Sequence, residues 1–248
     1  MHVFQSPPVD SRDYNLEKLL RVYLLTHTPE PEKIIAMAAK LCYSSSNIGD
    51  LSSLVESSRQ EKFLKKIIGL GHLSVLEHAC FTFGVEGISR ATSHQLVRHR
   101  VASYSQQSQR YVKSGDDFEY VTPPTISESD KLSKKYRSTV EKIHSVYREL
   151  VIAGIPAEDA RFLLPNAAAT KIIITMNARE LLHFFTLRCC ERAQWEIRDM
   201  ACAMLKLARE VVPSVFDSSG PGCVRGKCTE GEMTCGRPEE IREKIKNL

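Results

Sequence analysis

The chain has 248 residues, of which 42% are hydrophobic and 26% are charged, and its formal net charge is +4 at pH 7. This composition is typical of a globular protein with a sizeable core, and it argues against a disordered or fibrous chain. No apolar run approaches the roughly 18 residues of a membrane-spanning helix, and no secretory leader follows the first methionine. We therefore expect a soluble, cytoplasmic protein.

One discontinuity rich in proline and glycine occurs near the C-terminus, at residues 218–222. We therefore expect an N-terminal extension at 1–18, a single folded domain at 19–217 and a cysteine-containing tail at 218–248.

The eight cysteines are too sparse for a small disulfide scaffold, so we expect reduced thiols. Cys42, Cys80, Cys189, Cys190 and Cys202 stand in apolar contexts, where cysteine usually packs in the core.

In chain order, the pattern predicts a strand at 21–28, helices at 29–42 and 58–68, a strand at 79–84 and a helix at 89–100. A long amphipathic helix follows at 127–153, then a strand at 168–175 and helices at 177–187 and 193–211. The charged residues around Trp195, including Glu196 and Arg198, are expected to form surface pairs on the last of these helices. Long helices with few strands predict an α/β or α+β fold.

Residues 88–115 contain no Asp or Glu but carry four arginines and one lysine. Arginine presents a planar fork that matches phosphate oxygens, and neighbouring Ser, Gln and Tyr side chains add directional groups and flat rings. This mixture favours a nucleotide pocket. A solvated basic face or a nucleic-acid surface is the alternative, and it would show salt-dependent affinity without a bound cofactor.

Three further segments carry candidate site residues. His72 and His78 in GHLSVLEH are not at a zinc-ligand spacing. Asn177 is placed to cap a helix, and Arg188 ends the apolar stretch LLHFFTL, where an arginine either reaches solvent or binds an anion.

The run RHR-x7-S, from Arg98 to Ser108, resembles the signature of the flavin-dependent thymidylate synthases. These enzymes convert deoxyuridylate (dUMP) to thymidylate (dTMP) with 5,10-methylenetetrahydrofolate, NADPH and FAD. The resemblance extends to GHLSVLEH, ARFLLP and NARELLHFFTLRCCERAQWEIR, in order, over most of residues 20–217.

The resemblance implies a single α+β domain with a central, mostly antiparallel sheet flanked by long helices, in a fold specific to the family. It implies a homotetramer that holds FAD at subunit interfaces and binds neither nucleic acid nor membranes. The absence of GxGxxG from the sequence agrees with a fold that is not of the Rossmann type.

The resemblance also implies roles for individual residues. Arg188 is the catalytic residue that activates the pyrimidine, and Ser108 is expected to position the ring because no base adjoins it. The dUMP contacts would be Gln95, Leu96, Val97, Arg98, Gln106, Gln107, Ser108, Gln109, Arg110, Arg161 and Arg188. The FAD contacts would be Ser74, Arg98, His99, Arg100, Gln106, Asn177, Ala178, Arg179 and His183. His72 and Tyr111 would lie beside the folate or flavin.

Cys223, Cys228 and Cys235 in the tail stand at x4 and x6 spacing, and no nearby histidine completes a set of four zinc ligands, so we predict no metal. A structural zinc protein centred on this tail remains the alternative, to be decided by metal content. Flavin released from a yellow preparation on denaturation would instead favour the enzyme.

Overall fold

A computed structural model describes residues 20–55, 57–115 and 118–248, so the extension predicted at 1–18 lies outside the described residues. The strands are β1 (Arg21–His27), β2 (Cys80–Ser89), β3 (Ala102–Gln106) and β4 (Ala169–Asn177). The helices of the first half are α1 (Pro31–Leu41), α2 (Ile48–Leu54), α3 (Ser57–Gly69), α4 (Arg90–Leu96), α5 (Pro124–Ser127) and α6 (Asp130–Ile152). Those of the second half are α7 (Ala157–Ala160), α8 (Ala178–Arg188), α9 (Trp195–Val211), α10 (Pro213–Phe216), α11 (Gly222–Arg225) and α12 (Pro238–Lys246).

The four strands form one sheet in the order β1-β2-β4-β3, and every pairing within it is antiparallel. The prediction of an α+β chain with an antiparallel sheet is therefore confirmed. No helix in the described part of the chain is both long and apolar enough to cross a membrane.

Alternation along the two central strands explains where the core lies. In β2 the side chains of Phe81, Phe83 and Val85 are buried, and in β4 those of Ile172 and Ile174 are buried. Successive strand residues point to opposite faces, so these side chains share one face of the sheet. They form a continuous apolar cluster with the inward sides of α8 and α9, which holds both helices close to the strands.

The helix predicted at 89–100 is shorter than expected. It ends at Leu96, and the chain turns at 97–101 before it enters β3, which the sequence pattern did not predict. The Tyr104 hydroxyl on β3 lies 2.9 Å from the carbonyl oxygens of both Leu96 and His99. The helix therefore ends at Leu96 because β3 pairs with β4 and because the Tyr104 hydroxyl binds the carbonyl groups at the helix end.

Two of the cysteines expected in the core are exposed. Cys42 follows the end of α1, and Cys80 precedes the inward-facing Phe81, so alternation turns its thiol outward. Cys189 is buried, and Cys190 and Cys202 are half-buried. All eight thiols are free.

Beyond residue 217 the chain packs back onto the core. Ile241 and Ile245 of α12 are buried in the main apolar cluster. Arg209 of α9 donates to the carbonyl oxygens of Phe216, Asp217, Ser219 and Ile245, at 2.6 to 3.2 Å. One guanidinium thus joins α9 to the start and the end of the segment predicted as a tail.

Candidate active site

A buried carboxylate fixes the start of α4. Ser89 caps this helix, its side chain accepting from the Thr92 N–H at 3.1 Å. Glu196 of α9 accepts from the Ser89 N–H, the Ser89 hydroxyl and the Thr92 hydroxyl at 2.5 to 2.6 Å. The prediction that Glu196 forms a surface pair is therefore wrong, because this side chain has buried donors to satisfy.

The turn after α4 presents two arginines to solvent and turns one histidine inward. His99 is buried, whereas Arg98 and Arg100 are exposed. Among the described residues, neither arginine has a carboxylate partner. Their guanidinium groups are therefore available to an anion.

Arg188, the last residue of α8, is held from two sides. Its Nε donates to Nε2 of His99 at 3.0 Å, and its Nη2 donates to the carbonyl oxygen of Gln95 at 3.4 Å. Nδ1 of the same imidazole lies 3.2 Å from Oε1 of Glu180. We call Glu180, His99, His183 and Arg188 the Arg188 cluster.

The His99 imidazole in this cluster is neutral near pH 7. Burial, together with the nearby charges of Arg188 and His183, lowers the pKa of His99 to about 4. The contact between His99 and Glu180 is therefore a hydrogen bond rather than an ion pair. Burial also raises the pKa of the Glu180 carboxyl group and lowers that of the Arg188 guanidinium, which stays charged.

Other predicted cofactor residues lie along α8 and a 3₁₀ turn at Ser74–His78. Asn177 caps α8 as predicted, accepting from the Glu180 N–H at 2.9 Å. Arg179 is exposed and forms an ion pair with Glu77, and Ser74 is also exposed. The Ala178 methyl group is buried, and its N–H donates to the Ala79 carbonyl at 2.8 Å, so this N–H is not available to a ligand.

The exposed His183 lies with its ring 5.9 Å from that of His99. Nδ1 of His72 is buried and has no hydrogen-bond partner within the described residues. The ring of Tyr43 packs edge-on against His72, at 6.0 Å between centroids. A buried polar atom of this kind calls for a partner from outside the single chain.

The Gln- and Ser-rich segment runs from β3 into a loop. Nε2 of Gln106 donates to the hydroxyl groups of Ser93 and Thr170, at 2.9 and 3.2 Å, so this amide is already engaged. The three residues that follow it line a cavity, together with Leu164 and the start of β4: Gln107, Ser108 and Gln109. The cavity lies next to the residues predicted to bind dUMP.

Three arginines gather around Glu158 and Gln109 beside that cavity. Arg110 pairs with the Glu158 carboxylate at 2.8 Å, and Nε of Arg161 donates to the Glu158 carbonyl at 3.1 Å. Arg90 donates to Gln109 at 3.1 Å. Burial lowers the pKa of Arg90, and the nearby charge of Arg161 adds to this effect. We call this group the Arg110 cluster.

The structure gathers the predicted residues into two groups. Within one chain, no hydrogen bond or ion pair between described residues joins the Arg188 cluster to the Arg110 cluster. The side chain of Leu96 is buried and its carbonyl accepts from Tyr104, whereas Val97 and Tyr111 are exposed.

Sequence reasoning missed Glu158, Glu180 and Glu196. Only Glu180 had a signal, its place three residues after the capping Asn177, and that pattern suggested a cap rather than a partner for His99.

The three tail cysteines lie near a fourth thiol, that of Cys190, which the sequence did not indicate. Cys190, Cys223, Cys228 and Cys235 line one small cavity with Glu230. Among the described residues, no group of three or more His, Cys, Asp or Glu side chains is arranged to hold a metal ion.

Comparison with known proteins places this geometry in a family. A family model described as thymidylate synthase complementing protein matches residues 23–214. The chain is 56% identical to a flavin-dependent thymidylate synthase from Geobacter sulfurreducens over 230 residues, 92% of this chain and 99% of that protein. It is 45% identical over 240 residues to one from Clostridium tetani, 90% of this chain and 96% of that protein. It is also 43% identical over 223 residues to one from Pyrococcus furiosus, 87% of this chain and 91% of that protein. The matched region contains both arginine clusters, and the chain belongs to the thymidylate synthase complementing protein family.

Proposed function

We propose that the protein catalyses the reductive methylation of dUMP to dTMP. The carbon donor is 5,10-methylenetetrahydrofolate, and NADPH is the reductant, acting through FAD. The observation that carries the proposal is the Arg188 guanidinium. It is fixed by the neutral imidazole of His99, in the turn that presents Arg98 and Arg100, and by the Gln95 carbonyl near the end of α4. Family membership supports it.

Methylation at carbon 5 of uracil requires activation of a weakly nucleophilic ring. A guanidinium beside the ring stabilises negative charge on its N3 and O4 region, and we assign this role to Arg188. Thiolate attack is the alternative route. Burial raises the pKa of both neighbouring thiols, Cys189 and Cys190, and so opposes formation of a thiolate.

The dUMP phosphate is assigned to Arg110 and Arg161. Both contact Glu158, which keeps their guanidinium groups at one edge of the loop. Gln95, Leu96, Val97 and Arg98 would border the nucleotide, and the loop Gln106, Gln107, Ser108 and Gln109 would wrap it. The Ser108 hydroxyl accepts from the Arg110 N–H at 3.1 Å and therefore shapes this loop.

The residues present fit an anionic cofactor with a flat ring. Exposed guanidinium groups on the turn after α4 offer donors to a diphosphate, and Nδ1 of His72 lacks a partner among the described residues. We assign FAD to Ser74, Arg98, His99, Arg100, Gln106, Asn177, Ala178, Arg179 and His183, with His72 and Tyr111 beside the flavin or folate. Bound FAD supplies the hydride that completes the methyl group.

We also propose that the active sites form between subunits of a homotetramer. Within one chain, no hydrogen bond or ion pair among the described residues joins the two clusters, and this separation supports the arrangement. Phe162 and Tyr111 add support, because they are 84% and 79% exposed and large apolar surfaces of this kind favour contact with another chain.

A turnover assay tests the proposal. The purified protein should release flavin on denaturation, should oxidise NADPH faster when dUMP is present and should form dTMP once methylenetetrahydrofolate is added. NADPH oxidation that is indifferent to dUMP, with no dTMP formed, would reject the function. Tight, salt-dependent binding of nucleic acid by a flavin-free protein would instead favour the nucleic-acid-binding alternative.

A double variant tests the cofactor assignment. Arg98→Ala with Arg100→Ala should reduce flavin content while helix content, measured by circular dichroism, stays unchanged, because both side chains are exposed. The exposed Arg192→Ala is a matched control that should keep its flavin. Full occupancy in the double variant would remove these arginines from the FAD site.

A further inference from the structure

The three side chains Glu180, His99 and Arg188 form a hydrogen-bonded chain with one direction. Nε of arginine is always a donor, so Nε2 of His99 must accept the bond from Arg188. The single proton of the neutral imidazole therefore lies on Nδ1, which faces Oε1 of Glu180 at 3.2 Å. The bond from Arg188 and the bond to Glu180 therefore require the same tautomer of His99, with its proton on Nδ1.

Packing leaves the imidazole little freedom to turn. The ring of Phe184 meets it edge-on, with centroids 4.9 Å apart and planes at 79°. The backbone carbonyl of His99 lies 2.9 Å from the Tyr104 hydroxyl, which ties the turn to β3. The His99 side chain is also buried. A ring fixed in this way is suited to orient a partner rather than to move protons.

The contacts of Arg188 also determine which of its hydrogens remain available. Its Nε–H and one Nη2–H are directed to His99 and Gln95. Nη1 and the second Nη2–H have no partner among the described residues, and together they form one edge of the guanidinium plane. This edge matches two neighbouring acceptors on a planar ligand.

We infer that His99 and Glu180 are positioning residues, which set the orientation of the Arg188 guanidinium so that its free edge faces the pyrimidine. The inference rests on the proposed function, because it concerns how that reaction is activated. It gives the central histidine of the RHR triplet a role within the chain, whereas the flanking arginines face outward.

Variants of His99 measure the effect on turnover. His99→Phe keeps a ring of similar shape but removes the acceptor for Nε of Arg188. We expect kcat per bound flavin to fall by on the order of 10-fold to 10²-fold, with the KM for dUMP changed much less. His99→Gln should recover part of the loss, because its amide oxygen can accept. Val101→Ala, in the same turn and exposed, should match the wild type.

Variants of Glu180 separate the hydrogen bond from its charge. Glu180→Gln still offers an oxygen to Nδ1 of His99, so its kcat should stay near that of the wild type. Glu180→Ala removes the acceptor and should reduce kcat in the same way as His99→Phe. Equal losses in both Glu180 variants would contradict a role that depends on the acceptor.

A double-mutant cycle shows whether His99 acts through Arg188. In an Arg188→Ala background, His99→Phe should cause no further loss of kcat, because nothing is left to orient. Fully additive losses would overturn the inference.

Crystal structures of the flavin-loaded wild type and His99→Phe give an answer that does not need turnover. The guanidinium should keep one conformer in the wild type and lose it in the variant. An unchanged Arg188 would reject the inference even if dTMP is formed. An inactive wild type with an ordered Arg188 would reject only the proposed function.

Discussion

Arg188 stands where two electrostatic effects meet. As the last residue of α8 it lies beside carbonyl groups whose partial negative charge favours a cation and opposes a bound anion. The charge that stabilises a developing anion on the substrate must therefore come from the guanidinium itself. A positive residue that ends this helix satisfies both the helix and the proposed chemistry.

Arg188→Ala should retain its flavin and lose turnover by a factor on the order of 10² or more, the usual effect of removing one electrostatic stabiliser. Arg188→Lys should restore little, because a single ammonium group cannot reproduce a planar fork. Single-turnover methyl transfer, with flavin occupancy measured in each variant, checks both expectations. An active Arg188→Ala enzyme would contradict the assignment.

His99 should make stability depend on pH in a defined window. In the unfolded chain this imidazole takes up a proton below about its ordinary pKa of 6.5, whereas in the folded protein it does so only near 4. The unfolded state therefore binds more protons between these values, and stability present above pH 6.5 is lost as the pH falls toward 4.

The measurement is the free energy of unfolding, from denaturant titrations between pH 4 and 7, for wild type and His99→Gln. Glu180, His183 and Arg188 face the site in both proteins, so the two differ in the titration of residue 99. The free energy of unfolding should therefore fall more steeply on acidification in the wild type, because only the wild type has the imidazole. Parallel curves would show that His99 is not held neutral by the fold.

The end of α4 shows where a sequence pattern stops being informative. Helical periodicity continues through Arg100, so a local argument extends the helix to that point. The actual end depends on a tyrosine on the next strand and on the pairing of that strand with β4. Residues 102–106, ASYSQ, alternate only two apolar side chains with polar ones, a pattern too short to predict a strand, and pairing with β4 makes them one.

The capping of α8 was predictable because the signal is local. Asn177 directly precedes an apolar periodic run and caps it as expected. The surroundings of Glu196 were not predictable from the sequence, because its three hydrogen-bond donors belong to residues more than a hundred positions away. Local chemistry therefore predicted how helices begin, whereas the contacts between elements came from the fold.

The thiols should react in an order that follows their placement on these elements. Cys42 and Cys80 are exposed and should be alkylated first by iodoacetamide under native conditions. Cys189 should react last, because it is buried and burial raises the pKa of its thiol. Peptide mass spectrometry over a time course gives the order, and early labelling of Cys189 would contradict this packing.

At the scale of the whole molecule, long elements were the most predictable. The helices predicted at 58–68, 127–153 and 193–211 agree with α3, α6 and α9 to within a few residues, because many turns of periodicity define each one. α12 was missed, since its nine residues lie in a charged segment where only Ile241 and Ile245 are buried.

Arg209 should be a main source of stability for the C-terminal segment. Arg209→Ala leaves four carbonyl groups without their charged donor, and a loss of about 3 kcal/mol in unfolding free energy is expected. Arg209→Lys should recover only part of this, because an ammonium group cannot reach both ends of the segment. Urea titration provides the measurement, and the exposed Glu210→Ala on the same helix is the control. Equal stability in Arg209→Ala and the control would contradict this role.

The Glu196 carboxylate has a consequence for how the protein opens. It holds the Ser89 amide, at the junction of β2 and α4, from a position 107 residues later in the chain. Exposing that amide to solvent requires the junction of β2 and α4 to separate from the first turn of α9, and both elements contribute to the same core. The Ser89 N–H should therefore exchange with deuterium only through global unfolding, at a rate that follows overall stability. This slow exchange is expected even though Arg98 and Arg100, about ten residues later, are exposed to water.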